Sequence, residues 1–214
     1  MAVCRERYEL LSILSSPNSA RVRTSPGKDG FKPVIFMFPG LGGQYVNMGL
    51  ELYNTEPVFR REMDRCFEIL SSLTGNDFKD IVYPGLCPLE KGGGKGPDVP
   101  DINRPGIVQP LLFTIEYALA ALLVQWGIKP HAMIGYSFGE YTAACLAGVF
   151  SPRDALTLIT ARGKLVEELP AGVMLSVPLS RQELEPLINE NISISIDNGL
   201  SCVVSGASAA VGTF

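Results

Sequence analysis

Histidine is almost missing from this sequence: His131 stands alone among 214 residues. Any chemistry that needs an imidazole has that one residue to draw on. Cysteine is present without a pattern. Cys4, Cys66, Cys87, Cys145 and Cys202 are odd in number, scattered, and never spaced C-x-x-C, which argues against a disulfide framework or a zinc site and for the reduced thiols of a cytoplasmic protein. Excess basic charge is lacking too: 18 Lys and Arg stand against 22 Asp and Glu, a net charge of −4, so there is no electrostatic footprint for nucleic acid. Residues 1–30 hold no continuous apolar core of a secretory signal. No G-K-[ST] is present, and the glycines at 40, 42 and 43 lack the third member of G-x-G-x-x-G, because Tyr45 stands there. Nucleotide-phosphate binding therefore has little support.

Apolar residues are plentiful, at 46% of the chain, enough for a sizeable core. The longest apolar run, 110–128, approaches the length of a membrane span, yet Glu116 and Gln125 interrupt it. A charge deep in hydrocarbon costs on the order of 3 kcal/mol. With Pro110 expected in the first turn and Gly127 at the end, the run is expected to be a buried helix over 110–126 of a protein that uses no membrane. Residues 1–33 are expected to be a linker or tail, and 83–107 a Gly- and Pro-rich surface loop. Val34-Ile35-Phe36-Met37-Phe38 is continuously apolar, as in a parallel strand covered on both faces. Phe59, Met63, Cys66, Phe67 and Leu70 share one face of a helix that starts near Pro57. Ser151-Pro152-Arg153-Asp154 predicts a capped helix running to about residue 169. From 171 onward the pattern becomes strand, short helix (181–189), alternating strand (192–196) and strand (202–204), a small α+β unit.

The chemistry centres on Gly135-Tyr136-Ser137-Phe138-Gly139. An apolar strand pattern precedes it and a helical pattern follows. Strand, tight turn and helix with Gly-x-Ser-x-Gly at the turn predict a nucleophile elbow, Ser137 being the nucleophile. The amide after the serine, that of Phe138, is one expected oxyanion donor; Leu41, in the glycine loop after the first strand, is the other. A plain tight turn at 40–44 is the alternative reading of that loop. Arg162 falls on an apolar face with Ala155, Leu158, Ile159, Leu165 and Val166, so its guanidinium requires a partner. A structural carboxylate and a substrate carboxylate remain equally open. His131 precedes Ser137 by six residues on one expected strand, roughly 20 Å away at about 3.3 Å per residue, too far to be its base.

Together, Phe36-Met37-Phe38-Pro39-Gly40-Leu41-Gly42-Gly43-Gln44, Gln109-Pro110-Leu111-Leu112-Phe113, Gly135-Tyr136-Ser137-Phe138-Gly139-Glu140-Tyr141 and Ala161-Arg162-Gly163 resemble the malonyl-CoA:acyl-carrier-protein transacylase family, and most of all the acyltransferase domains of modular polyketide synthases. The resemblance implies an α/β fold: an α/β-hydrolase-like large subdomain with a parallel sheet, here 34–170 and incomplete, plus an incomplete ferredoxin-like α+β small subdomain, here 171–214. It implies transfer of a malonyl-type group from coenzyme A, through an ester on Ser137, to the phosphopantetheine thiol of an acyl carrier protein, in polyketide or fatty acid biosynthesis. Arg162 matches the arginine that holds the extender carboxylate, Gln109 an active-site glutamine, and Asn198 a residue near the catalytic histidine. No permanently bound cofactor and no metal are implied. Implied partners are acyl-CoA, an acyl carrier protein and a neighbouring ketosynthase domain. The family's histidine before the serine is Tyr136 here, and its Gly-Gln-Gly is Gly-Leu-Gly. Its catalytic histidine and selectivity motif lie well beyond the serine, past Phe214, so the chain is expected to be about the first two-thirds of such a domain. A serine hydrolase or editing thioesterase on the same elbow, and an inactive remnant or docking piece, are the alternatives.

Overall fold

The computed structural model describes residues 6–15, 32–86 and 101–214. Cys4, Cys87, the Lys91–Lys95 glycine run and most of the expected linker lie outside the described residues. The chain divides into two units, Met1–Val34 and Ile35–Phe214. The first contains α1 (Arg7–Leu14), where the sequence suggested only a linker. Its eight residues include Arg7, Glu9 and three leucines, all good helix formers, but two turns are too short to show a period.

In the second unit, β1 (Ile35–Phe38) leads to α2 (Leu50–Thr55), α3 (Pro57–Thr74), α4 (Phe78–Val82), α5 (Pro105–Gln125), β2 (Ala132–Gly135), α6 (Gly139–Leu146) and α7 (Pro152–Glu167). β1 and β2 pair in parallel, Phe36 opposite Met133 and Met37 opposite Ile134. One face of this pair packs on α5 and α6, with Phe36, Phe38 and Met133 against Ala120, Leu123, Ala143 and Leu146. The other face is bare: Ile35, Met37 and Ile134 are 57%, 76% and 55% exposed. The expectation of a strand covered on both faces is thus corrected. Alternate β1 side chains point to opposite faces, and among the described residues only one face has a layer packed on it.

The core lies between α3, α5 and α7. Phe59, Met63, Cys66, Phe67 and Leu70 of α3 meet Leu111, Leu112, Phe113 and Leu122 of α5 and Ala155, Leu156 and Ile159 of α7. Helix α5 is buried around most of its girth. It is long and apolar enough to cross a membrane, but its apolar window is 72% buried within the protein. Its start is earlier than expected: Pro105 occupies the first turn and Pro110 lies inside the helix. Pro110 therefore interrupts the ladder rather than opening it. The end behaves as expected. Gly127 takes φ +85°, and the amides of Gly127 and Ile128 return to the carbonyls of Val124 and Leu123, a Schellman closure that favours glycine. Ser151 and Asp154 cap α7 reciprocally, with Pro152 in its first turn, as read from the sequence; the helix stops at Glu167.

A second sheet follows, built from β3 (Gly172–Val177), β4 (Ile192–Asp197) and β5 (Cys202–Ala207) with α8 (Arg181–Leu184) and α9 (Ser208–Gly212). Its order is β3-β5-β4, antiparallel throughout. Leu184, Ile192, Cys202 and Val204 form its own small core. Helix α8 is one turn, shorter than the expected 181–189, because residues 185–187 form a turn and 188–189 are irregular.

Candidate active site

Strand β2 ends at Gly135 and helix α6 begins at Gly139, so Tyr136, Ser137 and Phe138 must reverse the chain in three residues. Ser137 does so at φ +52°, a left-handed conformation that strains any residue carrying a Cβ. The Tyr136 amide donates to the Phe38 carbonyl at 2.9 Å, which stitches the elbow to the end of β1. The two flanking glycines are required by space. A Cβ on Gly135 would lie 2.2 Å from the Glu140 amide nitrogen, and one on Gly139 2.2 Å from the Phe38 carbonyl oxygen. Backbone thus passes within touching distance of backbone on both sides of the serine.

The loop after β1 arrives at the same place. The Cβ position of Gly40 is 3.4 Å from Ser137 Cβ, and Leu41 is the next residue. The Leu41 and Phe138 amides make no hydrogen bond among the described residues. Gln44 has no role that local pattern reveals, yet it holds this loop. Its Oε1 accepts from the Gly42 amide at 2.9 Å, and its Nε2 donates to Asn103 Oδ1, also at 2.9 Å, just before α5. Only the fold brings 44 and 103 together.

Ser137, Phe138, Glu140, Tyr141, Ala144, Phe150 and Arg162 line an open cleft of about 380 Å³. Arg162, on α7, is the one cation on that lining among the described residues. The stripe expected from the sequence is shifted: Ala155, Leu156, Ile159, Thr160 and Gly163 are buried, whereas Leu158 and Leu165 are exposed. Arg162 lies at the edge of that stripe, half-buried. Its partner is no carboxylate among the described residues. Arg162 Nη1 donates to Gln109 Oε1 at 2.6 Å, and Gln109 is 1% exposed. A neutral acceptor fixes the guanidinium without cancelling its charge, leaving the remaining donors of the fork to an anion.

The α5–α7 crossing that sets this pair is very close. A Cβ on Gly163 would stand 2.8 Å from the Pro105 carbonyl oxygen. One turn further, Glu167 accepts from the Gly106 amide at 2.9 Å and from Arg104 Nη2 at 3.2 Å, capping α5 from outside. The Gly106 amide, then Arg104, holds the Glu167 carboxyl below its usual range. Neither role is visible along the chain, since both depend on residues some sixty positions apart meeting.

Beneath the elbow, Glu116 of α5 is 8% exposed. Thr142 Oγ1 of α6 donates to its Oε2 at 2.6 Å, while Oε1 has no hydrogen-bond partner among the described residues. Burial pushes this carboxyl up to about 7, against a smaller lowering by Thr142. Burial likewise pushes the thiols of Cys66 and Cys145 up to about 12 and 11, leaving them protonated core fillers. Asn198 stands in the exposed turn between β4 and β5 and does not line the Ser137 cleft. His131 precedes β2, whose other end carries Ser137. Among the described residues no group of three His, Cys, Asp or Glu is placed to hold a metal.

Residues 35–214 match the family model for the acyl transferase domain. The chain belongs to the acyl transferase domain family. A phenolphthiocerol/phthiocerol polyketide synthase polypeptide of Mycobacterium tuberculosis is 38% identical over 174 residues, 81% of this chain and 11% of that protein. The mycoketide-CoA synthase of the same species is 35% identical over 179 residues, 83% of this chain and 4% of that protein. Among solved structures, the acyl transferase domain of ZmaA is 46% identical with a TM-score of 0.88, covering 99% of this chain and 49% of that one. The acyltransferase domain from the second module of the salinomycin polyketide synthase is 30% identical with a TM-score of 0.83 and the same coverage. The chain thus spans about half of those solved chains and about a tenth or less of the curated synthases.

Proposed function

We propose that this chain carries the acyl-accepting nucleophile of a polyketide acyltransferase, and that the group it accepts is a malonyl-type dicarboxylic acyl. The observation that carries this reading is one cleft lined both by Ser137, on a strained elbow, and by Arg162, held by the neutral Gln109. An ester hydrolase has no need of a cation in the cleft of its nucleophile, whereas a half-ester of a diacid presents a carboxylate to it.

In this reading Ser137 Oγ attacks the thioester carbonyl carbon of acyl-CoA. A C–O bond forms, the C–S bond breaks, and the thiol of coenzyme A leaves carrying the hydroxyl proton. The developing oxyanion is received by the Phe138 and Leu41 amides. The thiol of an acyl carrier protein's phosphopantetheine reverses the sequence and restores Ser137. Coenzyme A is substrate rather than resident cofactor. The proton moves through a base outside the described residues, because β2 separates His131 from the serine by its full length. Asn198, on the small sheet, is assigned to the approach of that part of the site. Residues 34–170 form the large subdomain of this reading and 171–214 the small one, with a neighbouring ketosynthase as the structural partner in a cytoplasmic synthase.

Intact mass after incubation with malonyl-CoA tests the reading. A malonyl adduct is expected on the wild-type chain and not on Ser137→Ala. Arg162→Ala is expected to lower the rate of malonyl loading by at least about a hundredfold, the loss of a charge-assisted bidentate pair, while loading from acetyl-CoA changes far less. Equal loss with both donors would remove Arg162 from carboxylate recognition.

A further inference from the structure

Glu116 is an ionisable group that the proposed chemistry does not use, on a helix that is otherwise apolar at this level. Removing a carboxyl from water is costly unless the position needs a directed acceptor. Three elements meet around it. Its Oε2 takes the Thr142 hydroxyl of α6, and Thr142, fully buried, lies five residues beyond Ser137. On the other side is a cavity of about 360 Å³, lined by Phe38 and Pro39 at the end of β1 and by Leu112, Ile115 and Leu119 of α5. Pro39 leads directly into Gly40, whose Cβ position touches Ser137. Among the described residues, Glu116 is the one ionisable side chain on that lining.

The Phe138 side chain is buried in the core, but among the described residues no side-chain hydrogen bond fixes the elbow in direction. The glycines at 135 and 139 let backbone close on backbone, and no side chain can wedge there. Among the described residues, Thr142 is the first side chain of α6 to hydrogen-bond another element. We propose that Glu116 is a positioning residue for the nucleophile, holding α6 against α5 so that the Phe138 amide stays aligned with the loop after β1. The inference rests on the reading of Ser137 as the acyl-accepting nucleophile. Without the tie, α6 shifts along α5 and the two oxyanion donors separate.

Hydrogen exchange on the full chain, read by mass spectrometry, tests it without any acyl donor. Glu116→Leu keeps the site apolar and close in volume, Thr142→Val removes only the donor, and Glu116→Gln keeps an acceptor in place. Amides of residues 138–146 are expected to exchange about tenfold faster in Glu116→Leu and Thr142→Val than in the wild type, with residues 59–70 of α3 unchanged. Glu116→Gln is expected to exchange at the wild-type rate. Unchanged exchange over 138–146, or an equal rise over 59–70, overturns the proposal, the second because it marks general loosening. Malonyl loading is measured alongside. Failure of the wild type to load counts against the functional reading and leaves the exchange result standing on its own.

Discussion

Ser137 holds a conformation that its own side chain disfavours, and this makes a stability prediction separate from chemistry. At φ +52° a Cβ costs about 1 kcal/mol or somewhat more. Ser137→Gly is therefore expected to be more stable than Ser137→Ala by about 1 kcal/mol in urea denaturation; equal midpoints would show that the elbow carries no strain. Ser137 and its flanking glycines are legible in the sequence as an elbow, because strand, Gly-x-Ser-x-Gly and helix follow one another without a gap. The partner of Arg162 is not. Helical spacing places the arginine near the apolar stripe and demands a partner, but a one-residue rotation of that stripe and the choice of Gln109 over a carboxylate depend on how α5 crosses α7.

At the scale of elements, the α5–α7 crossing governs the distance between Gln109 and Arg162. Gly163 permits the approach and Glu167 closes it by capping α5. Gly163→Ala would place a methyl group 2.8 Å from the Pro105 carbonyl oxygen. The helices must separate, with a stability loss of about 1–3 kcal/mol. Malonyl loading is expected to fall more than acetyl loading, since the displaced group is Arg162, the proposed carboxylate holder. A stability loss with the ratio of the two donors unchanged would assign Gly163 to packing alone. Element ends with local signals are legible along the chain, as at Ser151 with Asp154 and at Gly127. The start of α5 is not, because Pro105 and Pro110 carry the same signal five residues apart and the cap that decides between them comes from α7.

At the scale of the whole molecule, Glu116 couples stability to pH. Its carboxyl holds a proton up to about 7 in the folded chain, against the usual 4.5, so the folded state binds the proton more tightly than the unfolded state. Stability from this residue is present in full below pH 4.5 and is lost as the pH rises to about 7, with no further change above. Glu116→Gln lacks that loss. Its stability relative to wild type is expected to rise across the window by up to about 3 kcal/mol, measured by denaturant titration at the two ends. A constant difference would mean that the carboxyl titrates normally. The bare sheet face of Ile35, Met37 and Ile134 belongs to this scale as well. The apolar run of β1 reads along the chain as a strand covered on both faces, and no local pattern states whether a second layer is present.

The sequence by itself determined the strand–elbow–helix unit, the loop of glycines ahead of it, the buried face of α3, the capped start of α7 and the family, because each is written in neighbouring residues whose spacing matches a backbone period or a turn. Only the tertiary structure decided that Gly40 abuts Ser137, that Gln44 reaches Asn103, that Gln109 rather than an acid holds Arg162, and that Glu116 is tied to Thr142 of the helix behind Ser137. Those pairings join residues 26 to 97 positions apart (142 − 116 and 137 − 40). Their partners are chosen by the packing of helices and strands in space, which no periodicity along the chain encodes.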